Sequence, residues 1–468
     1  MRERIYLFER AAAAYAMLLA VVFASALIVS AQQLGQQKEA SKAKRALIIS
    51  IDGLDARYLL RADEYGLKIP ALRRLMRQGV TAPVVGVYPS VTYPSHTTIV
   101  TGATPARHGI VNNTLFEPPP MKQTGSWFWF ARDVKTDTLW DAAARRGLSV
   151  GLVSWPVSTG AGDWNVPEIW SPGRSPFESR DTVREYARPR GLIEEVERVD
   201  SELFKNLTPD EGDDMRTRFA EYIIANKRPQ LLLVHLFDLD HFEHSYGPFT
   251  PQAFATLEKV DGYISRLLAA VERAGLLSET AIFIVSDHGF KSISKTFHPL
   301  ILLERAGLVK TASGADGRRM VTEWQALPYV SGGSCAIILR DGQDQEVLRR
   351  AREAFRPYEQ QGILRIVDKG ELERLGANPR AAFALEAAEG YAFGGGLAGD
   401  IITPSQSRGT HGYLPTLPDY RASFIAAGVG VGRRGKIGEI RMIDIGPTVA
   451  RLLGLELRDA QGHPIPLE

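Results

Sequence analysis

The sequence predicts an α/β fold: a mainly parallel sheet flanked by helices, with a small α+β insertion. Three observations carry that prediction. Short apolar runs rich in β-branched residues, at 46–51, 231–237 and 281–285, read as strands buried on both faces. Helical patterns alternate with them, as a parallel sheet requires of its crossovers. Between 311 and 396 the alternation gives way to short strands and helices of a different rhythm, which marks the insertion.

In chain order, the first strand carries Asp52 at its carboxyl end, followed by Gly53. Pro70 opens an amphipathic helix over 70–76, because the first turn does not need the N–H that proline lacks. A strand over 81–87 leads into Tyr88-Pro89-Ser90-Val91-Thr92-Tyr93-Pro94-Ser95-His96. Pro94 is expected to start a short helix that Gly102 closes. That puts Thr92 at a helix N-terminus, where free N–H groups favour an anion. A helix over 140–147 stops at a glycine, and a strand follows at 149–154. Residues 178–227 are helical in character and rich in charge. The strand at 231–237 runs into Asp238-Leu239-Asp240-His241-Phe242-Glu243-His244, and a long helix over 252–274 follows. The strand at 281–285 ends in Ser286-Asp287-His288-Gly289. Inside the insertion, 335–339 and 363–367 read as strands, and 345–355 and 370–375 as helices. A Gly-rich loop around His411, a last strand at 422–427 and a helix at 445–453 close the core. The core domain is thus 46–310 with 397–468, and the insertion 311–396.

Composition narrows the function. Of 468 residues, 56 are Lys or Arg and 54 Asp or Glu, a net charge of +2 that points to no nucleic-acid-binding surface. The one cysteine, Cys335, excludes an intramolecular disulfide framework and a thiolate zinc site. Arg2, Arg4 and Arg10 precede an uncharged run over 11–31 with small residues at its end, so 1–31 reads as a secretory signal peptide. At ~1.5 Å per residue that run also reaches about 30 Å, so an uncleaved membrane anchor is the other reading. Either way the positive-inside rule puts the bulk of the chain outside the cytoplasm, in a periplasmic or extracellular setting. Residues 32–45 form a polar linker.

Asp52, Asp240 with His244, and Asp287 with His288 all follow separate apolar strands, and His411 lies in its own loop. A single strand-end aspartate is most often a turn former. Several at once are different, because ligands of open α/β sheets bind beyond the carboxyl ends of the strands. Carboxylates and imidazoles without thiolates suit Zn²⁺ or a similar divalent cation, and six of them with a hydroxyl suffice for two. A pair of cations ~3.5–4 Å apart suits phosphoryl displacement. Thr92 is the candidate nucleophile, and its product would be a covalent phospho-threonine, later hydrolysed.

These pieces, with Val100-Thr101-Gly102, His108-Gly109-Ile110, Gly247-Pro248 and Gly409-Thr410-His411-Gly412-Tyr413, resemble the type I phosphodiesterase/nucleotide pyrophosphatase family of the alkaline phosphatase superfamily. The resemblance runs over about residues 46 to 455 and implies an alkaline-phosphatase-like core. It implies one zinc held by Asp52, Thr92, Asp287 and His288, and a second by Asp240, His244 and His411. It implies that Asn113, or Asn112 beside it, donates to a phosphate oxygen, and that Tyr93 stacks on a base. Nucleotide-cleaving relatives often carry Lys, Asn and Tyr where this chain has Val91, Ser95 and His235. His235 is therefore a substrate-contact candidate, and the departures bear on the nucleotide rather than on hydrolysis. His241 and His298 receive no role. The expected activity is an exported hydrolase of small phosphodiester or pyrophosphate substrates, nucleotide-type ones favoured. A phosphomonoesterase or phosphonate hydrolase is the alternative on the same fold. A sulfatase lacks its Cys/Ser-x-Pro-x-Arg site here, and a non-catalytic binding module is disfavoured because all seven ligand positions are filled.

Overall fold

Strand β1 (Arg45–Ile51) is buried from its second residue to its last, so it needs neighbours on both sides. It finds them in β5 (Leu231–Leu236) and β6 (Thr280–Val285), both parallel to it, with Ile51 opposite Leu236 and Ser50 opposite Val285. The computed structural model that shows this describes residues 43–118, 126–169, 180–204, 212–314 and 319–468. The leader and nearly all of the linker expected from the sequence lie outside the described residues. Among the described residues no helix is long and apolar enough to cross a membrane.

Among the described residues the main sheet has nine strands. From β1 the order runs one way through β5 and β3 (Val150–Val153) to β4 (Trp164–Val166), all parallel. The other way it runs through β6 to the strand Ala422–Gly428 and then β2 (Val80–Val85). Ala422–Gly428 is antiparallel to both of its neighbours, the one reversal in this path. Helices α1 (Pro70–Gln78), α4 (Gly212–Asn226) and α6 (Pro251–Arg273) cover one face. In α6 the buried Leu257, Val260, Ile264, Leu267 and Val271 recur every three or four residues, and Thr250 caps the start by accepting from Ala253 N–H. Each such side chain contributes about 1.5–3 kcal/mol by leaving water. Asp261 of α6 also accepts from the backbone N–H of Ala71 and Leu72, at 2.9 and 2.7 Å. The long helix therefore caps α1, whose own N-cap residue, Ile69, has no side chain to do so. Helices α2 (Thr92–Thr101) and α3 (Leu139–Arg145) belong to the connections between β2 and β3, and α5 (Asp238–Tyr246) follows β5.

A second, four-stranded sheet lies within 326–387 and is wholly antiparallel. Its strands are Ala326–Ser331, Ser334–Leu339, Ala381–Ala387 and Leu364–Val367, in that spatial order. The helix Gln345–Gln360 packs Phe355 on Phe383 with ring centroids 6.2 Å apart. Lys44–Glu468, these two sheets included, form one compact unit.

Candidate metal centre

The parallel register brings the carboxyl ends of β1, β5 and β6 to one edge. Asp52 leaves β1 there and Asp287-His288 leave β6, all three buried. Asp240 and His244 are not at a strand end as such. They sit one turn apart on α5, so one helix face presents both. His411 arrives on a loop pressed against the second sheet, where Gly333 N–H donates to its carbonyl at 2.7 Å. The next residue, Gly412, has φ +93°, and a Cβ there would meet the Ser331 carbonyl oxygen at 1.8 Å. Only glycine permits that approach.

The six side chains converge. His288 Nε2 lies 3.0 Å from Asp287 Oδ2, 3.2 Å from Asp52 Oδ1 and 3.9 Å from Asp240 Oδ1. His411 Nε2 is 3.5 Å from Asp240 Oδ1, and His244 Nε2 is 3.6 Å from Asp240 Oδ2. The rings of His288 and His411 stack at 3.7 Å. Two groups, Asp240/His244/His411 and Asp52/Asp240/His288, each keep one donor atom per residue within 4.8 Å of the others. The first is the second zinc set that the family resemblance implies. The second places Asp240 where the resemblance has Asp287, so Asp240 faces both groups.

Electrostatics makes this cluster costly on its own. Burial, then repulsion from Asp287 and Asp240, pushes the Asp52 carboxyl well above its usual range. Burial also opposes charge on Asp287, but His288 beside it prevails and holds that carboxyl well below its usual range. Burial, then His288 and His244, keeps the His411 imidazole well below its usual range and so neutral. Asp52 Oδ1, Asp240 Oδ1, Asp287 Oδ2, both nitrogens of His288 and His411 Nδ1 are buried without a hydrogen-bond partner among the described residues. Buried polar atoms rarely stay unpaired. Carboxylate oxygens and imidazole nitrogens without sulfur are the donors divalent zinc accepts, so the residues present fit such ions.

Thr92 begins α2, two residues earlier than the helix start expected at Pro94. The first helical N–H groups have no intrahelical partner, so proline at the third position costs nothing. Two contacts position this start. Tyr93 N–H donates to Asn113 Oδ1 at 2.8 Å, which leaves the Asn113 NH₂ as the end open to a ligand. His96, one turn on, is neutral, its imidazole lowered to about 4 by burial and by neighbouring His235. Its Nδ1–H donates to the Thr92 carbonyl at 2.8 Å, and its Nε2 accepts from Ser50 Oγ on β1 at 2.8 Å. Nδ1 is also 3.8 Å from Asp287 Oδ2, so the Thr92 turn is tied to the acid cluster.

Three residues expected to contact substrate are instead buried and bonded or packed within the protein. His235 is buried, with Nε2 3.0 Å from Asp52 Oδ2 and Nδ1 2.8 Å from Glu168 Oε2 and 3.1 Å from the Ser154 carbonyl. It braces Asp52 from behind. Tyr93 is 0% exposed, its ring centroid 5.1 Å from that of Trp127 in a cluster with Ile110, Phe128 and Val157, so its ring fills a core. Asn112 donates from Nδ2 to the Val330 carbonyl at 3.0 Å and accepts Asn113 N–H at 2.8 Å, so it holds a loop to the second sheet.

Sequence reading missed Glu168 and Glu386. Glu168 is a lone acid after a three-residue strand, with no local pattern to mark it. Glu386 is a buried acid on the second sheet that accepts from Leu414 N–H at 2.7 Å and from the Tyr88 hydroxyl at 3.3 Å. It links that sheet to the loops that carry Thr92 and His411.

His235→Ala would leave Asp52 and Glu168 facing each other without the imidazole between them. It is expected to destabilise the chain by about 3 kcal/mol and to weaken zinc binding roughly 10–100-fold. Thermal unfolding and zinc titration measure both; wild-type values in each would remove the bracing role.

Residues 46–414 match the type I phosphodiesterase / nucleotide pyrophosphatase family. The chain is 28% identical over 254 residues to human ectonucleotide pyrophosphatase/phosphodiesterase family member 1, covering 52% of this chain and 23% of that protein. It is 27% identical over 259 residues to an uncharacterized pyrophosphatase/phosphodiesterase of Schizosaccharomyces pombe, covering 53% and 45%. With venom phosphodiesterase 2 of Crotalus adamanteus it shares 24% over 260 residues, covering 53% and 27%. The chain thus spans less than half the length of each of these relatives. Among solved structures, human ectonucleotide pyrophosphatase / phosphodiesterase 5 superposes with a TM-score of 0.63 at 21% identity, covering 89% of this chain and 97% of that one. The murine protein, solved as an inactive threonine-to-alanine variant in complex with AMP, gives the same TM-score at 20% identity and the same coverage.

Proposed function

Because the chain belongs to the type I phosphodiesterase/nucleotide pyrophosphatase family, we propose that it hydrolyses phosphodiester or pyrophosphate bonds at a two-zinc centre, through a phospho-threonine on Thr92. The observation that carries this reading is the convergence of Asp52, Asp240, Asp287, His244, His288 and His411, all but His244 with donor atoms unpaired among the described residues, beside the first turn of α2. The fold is the alkaline-phosphatase-like one of the structural relatives.

Asp240, His244 and His411 would hold one ion, and Asp52, Asp287 and His288 the other, with Asp240 facing both and Thr92 Oγ completing the second set. Bound there, such ions supply Lewis-acid stabilisation of the charge on the attacking and leaving oxygens. Thr92 Oγ gives up its proton to solvent and attacks phosphorus, and the bond to the leaving oxygen breaks as that group departs with the electron pair, taking a proton from water where it is an alkoxide. Water then cleaves the Thr92–phosphorus bond and restores the hydroxyl. Asn113, its carbonyl end tied to Tyr93 N–H, donates from NH₂ to a non-bridging oxygen. Positive partial charge at the N-terminus of the ten-residue α2 favours the same anion. His96 and His235 position Thr92 and Asp52 without touching substrate.

Export rests on Arg2, Arg4 and Arg10 before the uncharged run over 11–31, and on relatives named as ectoenzymes or venom enzymes. A cleaved leader and attachment to the membrane through 11–31 are the two alternatives within that reading. The deciding experiment is a substrate panel on the zinc-loaded chain: nucleotide diesters, lipid diesters and monoesters. Diester or pyrophosphate substrates are expected to give the highest kcat/KM. A clear preference for monoesters or phosphonates would replace this activity with the alternative on the same fold.

A further inference from the structure

Helix α5 follows β5 with only Phe237 between them, so its N-cap position holds a side chain with no acceptor. The first N–H groups of a helix have no partner within it. Here a carboxylate from another element takes two of them. Asp213, the second residue of α4, accepts Phe237 N–H at Oδ1, 2.8 Å away, and Asp238 N–H at Oδ2, 3.1 Å away. The contact is reciprocal, because Asp213 N–H donates to Asp238 Oδ2 at 3.4 Å.

Arg216, one turn along α4, closes the group. Its Nη1 lies 3.7 Å from Asp213 Oδ1, and its guanidinium carbon lies 3.8 Å from the centroid of the Phe237 ring. Asp213, Arg216 and Asp238 are all buried. A buried charge is costly unless it is paired and hydrogen-bonded, and the Asp213 carboxylate is both. The positive end of the α5 dipole favours the same charge.

We infer that Asp213, held by Arg216, is a positioning residue for the metal centre: it fixes the start of α5 and so aims Asp240 at the ion that Asp240 would share with His244 and His411. The inference rests on the proposed two-zinc function and adds a residue that belongs to neither ligand set. Asp240 lies two residues past the anchored Asp238, in the same first turn, so a slip of the helix start moves its carboxylate directly. The far end of α5 is tied separately. His244 Nδ1–H donates to the Gly409 carbonyl at 3.0 Å, and Arg408 N–H donates to the His244 carbonyl at 2.8 Å. Loosening the start therefore displaces Asp240 more than His244. Asp52, Asp287 and His288 follow β1 and β6, whose pairing does not involve α4.

The test is a zinc titration of the full chain by calorimetry, on wild type, Asp213→Ala and Asp213→Asn, with thermal unfolding of the same samples. Wild type is expected to bind two ions. Asp213→Ala is expected to weaken one of them about tenfold or more and to leave the other nearly unchanged. The weakened ion should be the one that His244→Ala also weakens, so the double variant keeps the remaining ion as either single variant does. Asp213→Asn retains an acceptor for Phe237 N–H and should recover part of the lost affinity. A lower melting temperature with both ions bound as in wild type would overturn the inference, by making Asp213 a merely structural group. Equal weakening of both ions would overturn it as well. If the alanine chain does not fold, the asparagine chain decides by the same two criteria. A wild-type chain that binds two zinc ions and hydrolyses no ester would strike the proposed activity and leave this brace standing; one that binds no zinc would strike both.

Discussion

Thr92→Ala is expected to lower kcat by about 10⁴-fold or more, the scale seen when a catalytic nucleophile is removed. The reason is specific to one atom. Without Oγ no covalent bond to phosphorus forms, and water must attack unaided by the two-step route. The surroundings are expected to stay in place, because what anchors this turn is backbone: Tyr93 N–H on Asn113 Oδ1, and the Thr92 carbonyl under His96 Nδ1–H. The variant should therefore still bind zinc and retain its melting temperature. Thr92→Ser keeps the hydroxyl and should retain most of the rate. Steady-state rates on an activated diester, with zinc per chain measured on the same samples, decide the matter. An alanine variant with wild-type kcat would end the nucleophile assignment.

Stripping the divalent metal is expected to have the second largest effect: loss of activity together with a lower melting temperature. Asp52, Asp240 and Asp287 all come within 3.9 Å of His288 Nε2, in a buried setting. Two like charges ~4 Å apart repel by about 4 kcal/mol even at an effective dielectric near 20. A cation bound at such a site in a hundredfold excess over its Kd stabilises the fold by about 2.7 kcal/mol. Chelation followed by dialysis should lower Tm by several degrees, and added zinc should restore both Tm and turnover. Asp240→Ala should cost more bound metal than His244→Ala, since Asp240 faces both ligand groups. Full activity and an unchanged Tm in the stripped protein would rule the metal centre out.

Much of the site was legible because a parallel sheet turns a one-dimensional pattern into a place. Strands that run the same way end at the same edge, so Asp52 after β1 and Asp287-His288 after β6 had to meet wherever the helices lay. Asp240 and His244 were legible only as residues that follow the strand 231–237; the helical spacing that turns both to one face came from the structure. The second sheet was only half legible. Ala381–Ala387 reads AAFALEA, a run of good helix formers, yet it lies between two strands that supply its hydrogen bonds.

Sequence alone determined the α/β class, the residues that gather at the sheet's edge and the family they belong to, because strand polarity and apolar periodicity are local properties. Only the tertiary structure decided which way those side chains face and what stands behind them. His235 turned out to brace Asp52 against Glu168, Tyr93 to fill a core, and Asn112 to hold a loop. Each outcome depends on a partner brought from elsewhere in the fold, in His235's case 67 and 183 residues away. A buried polar group takes whichever partner the packing presents, and no local pattern in the chain records that choice.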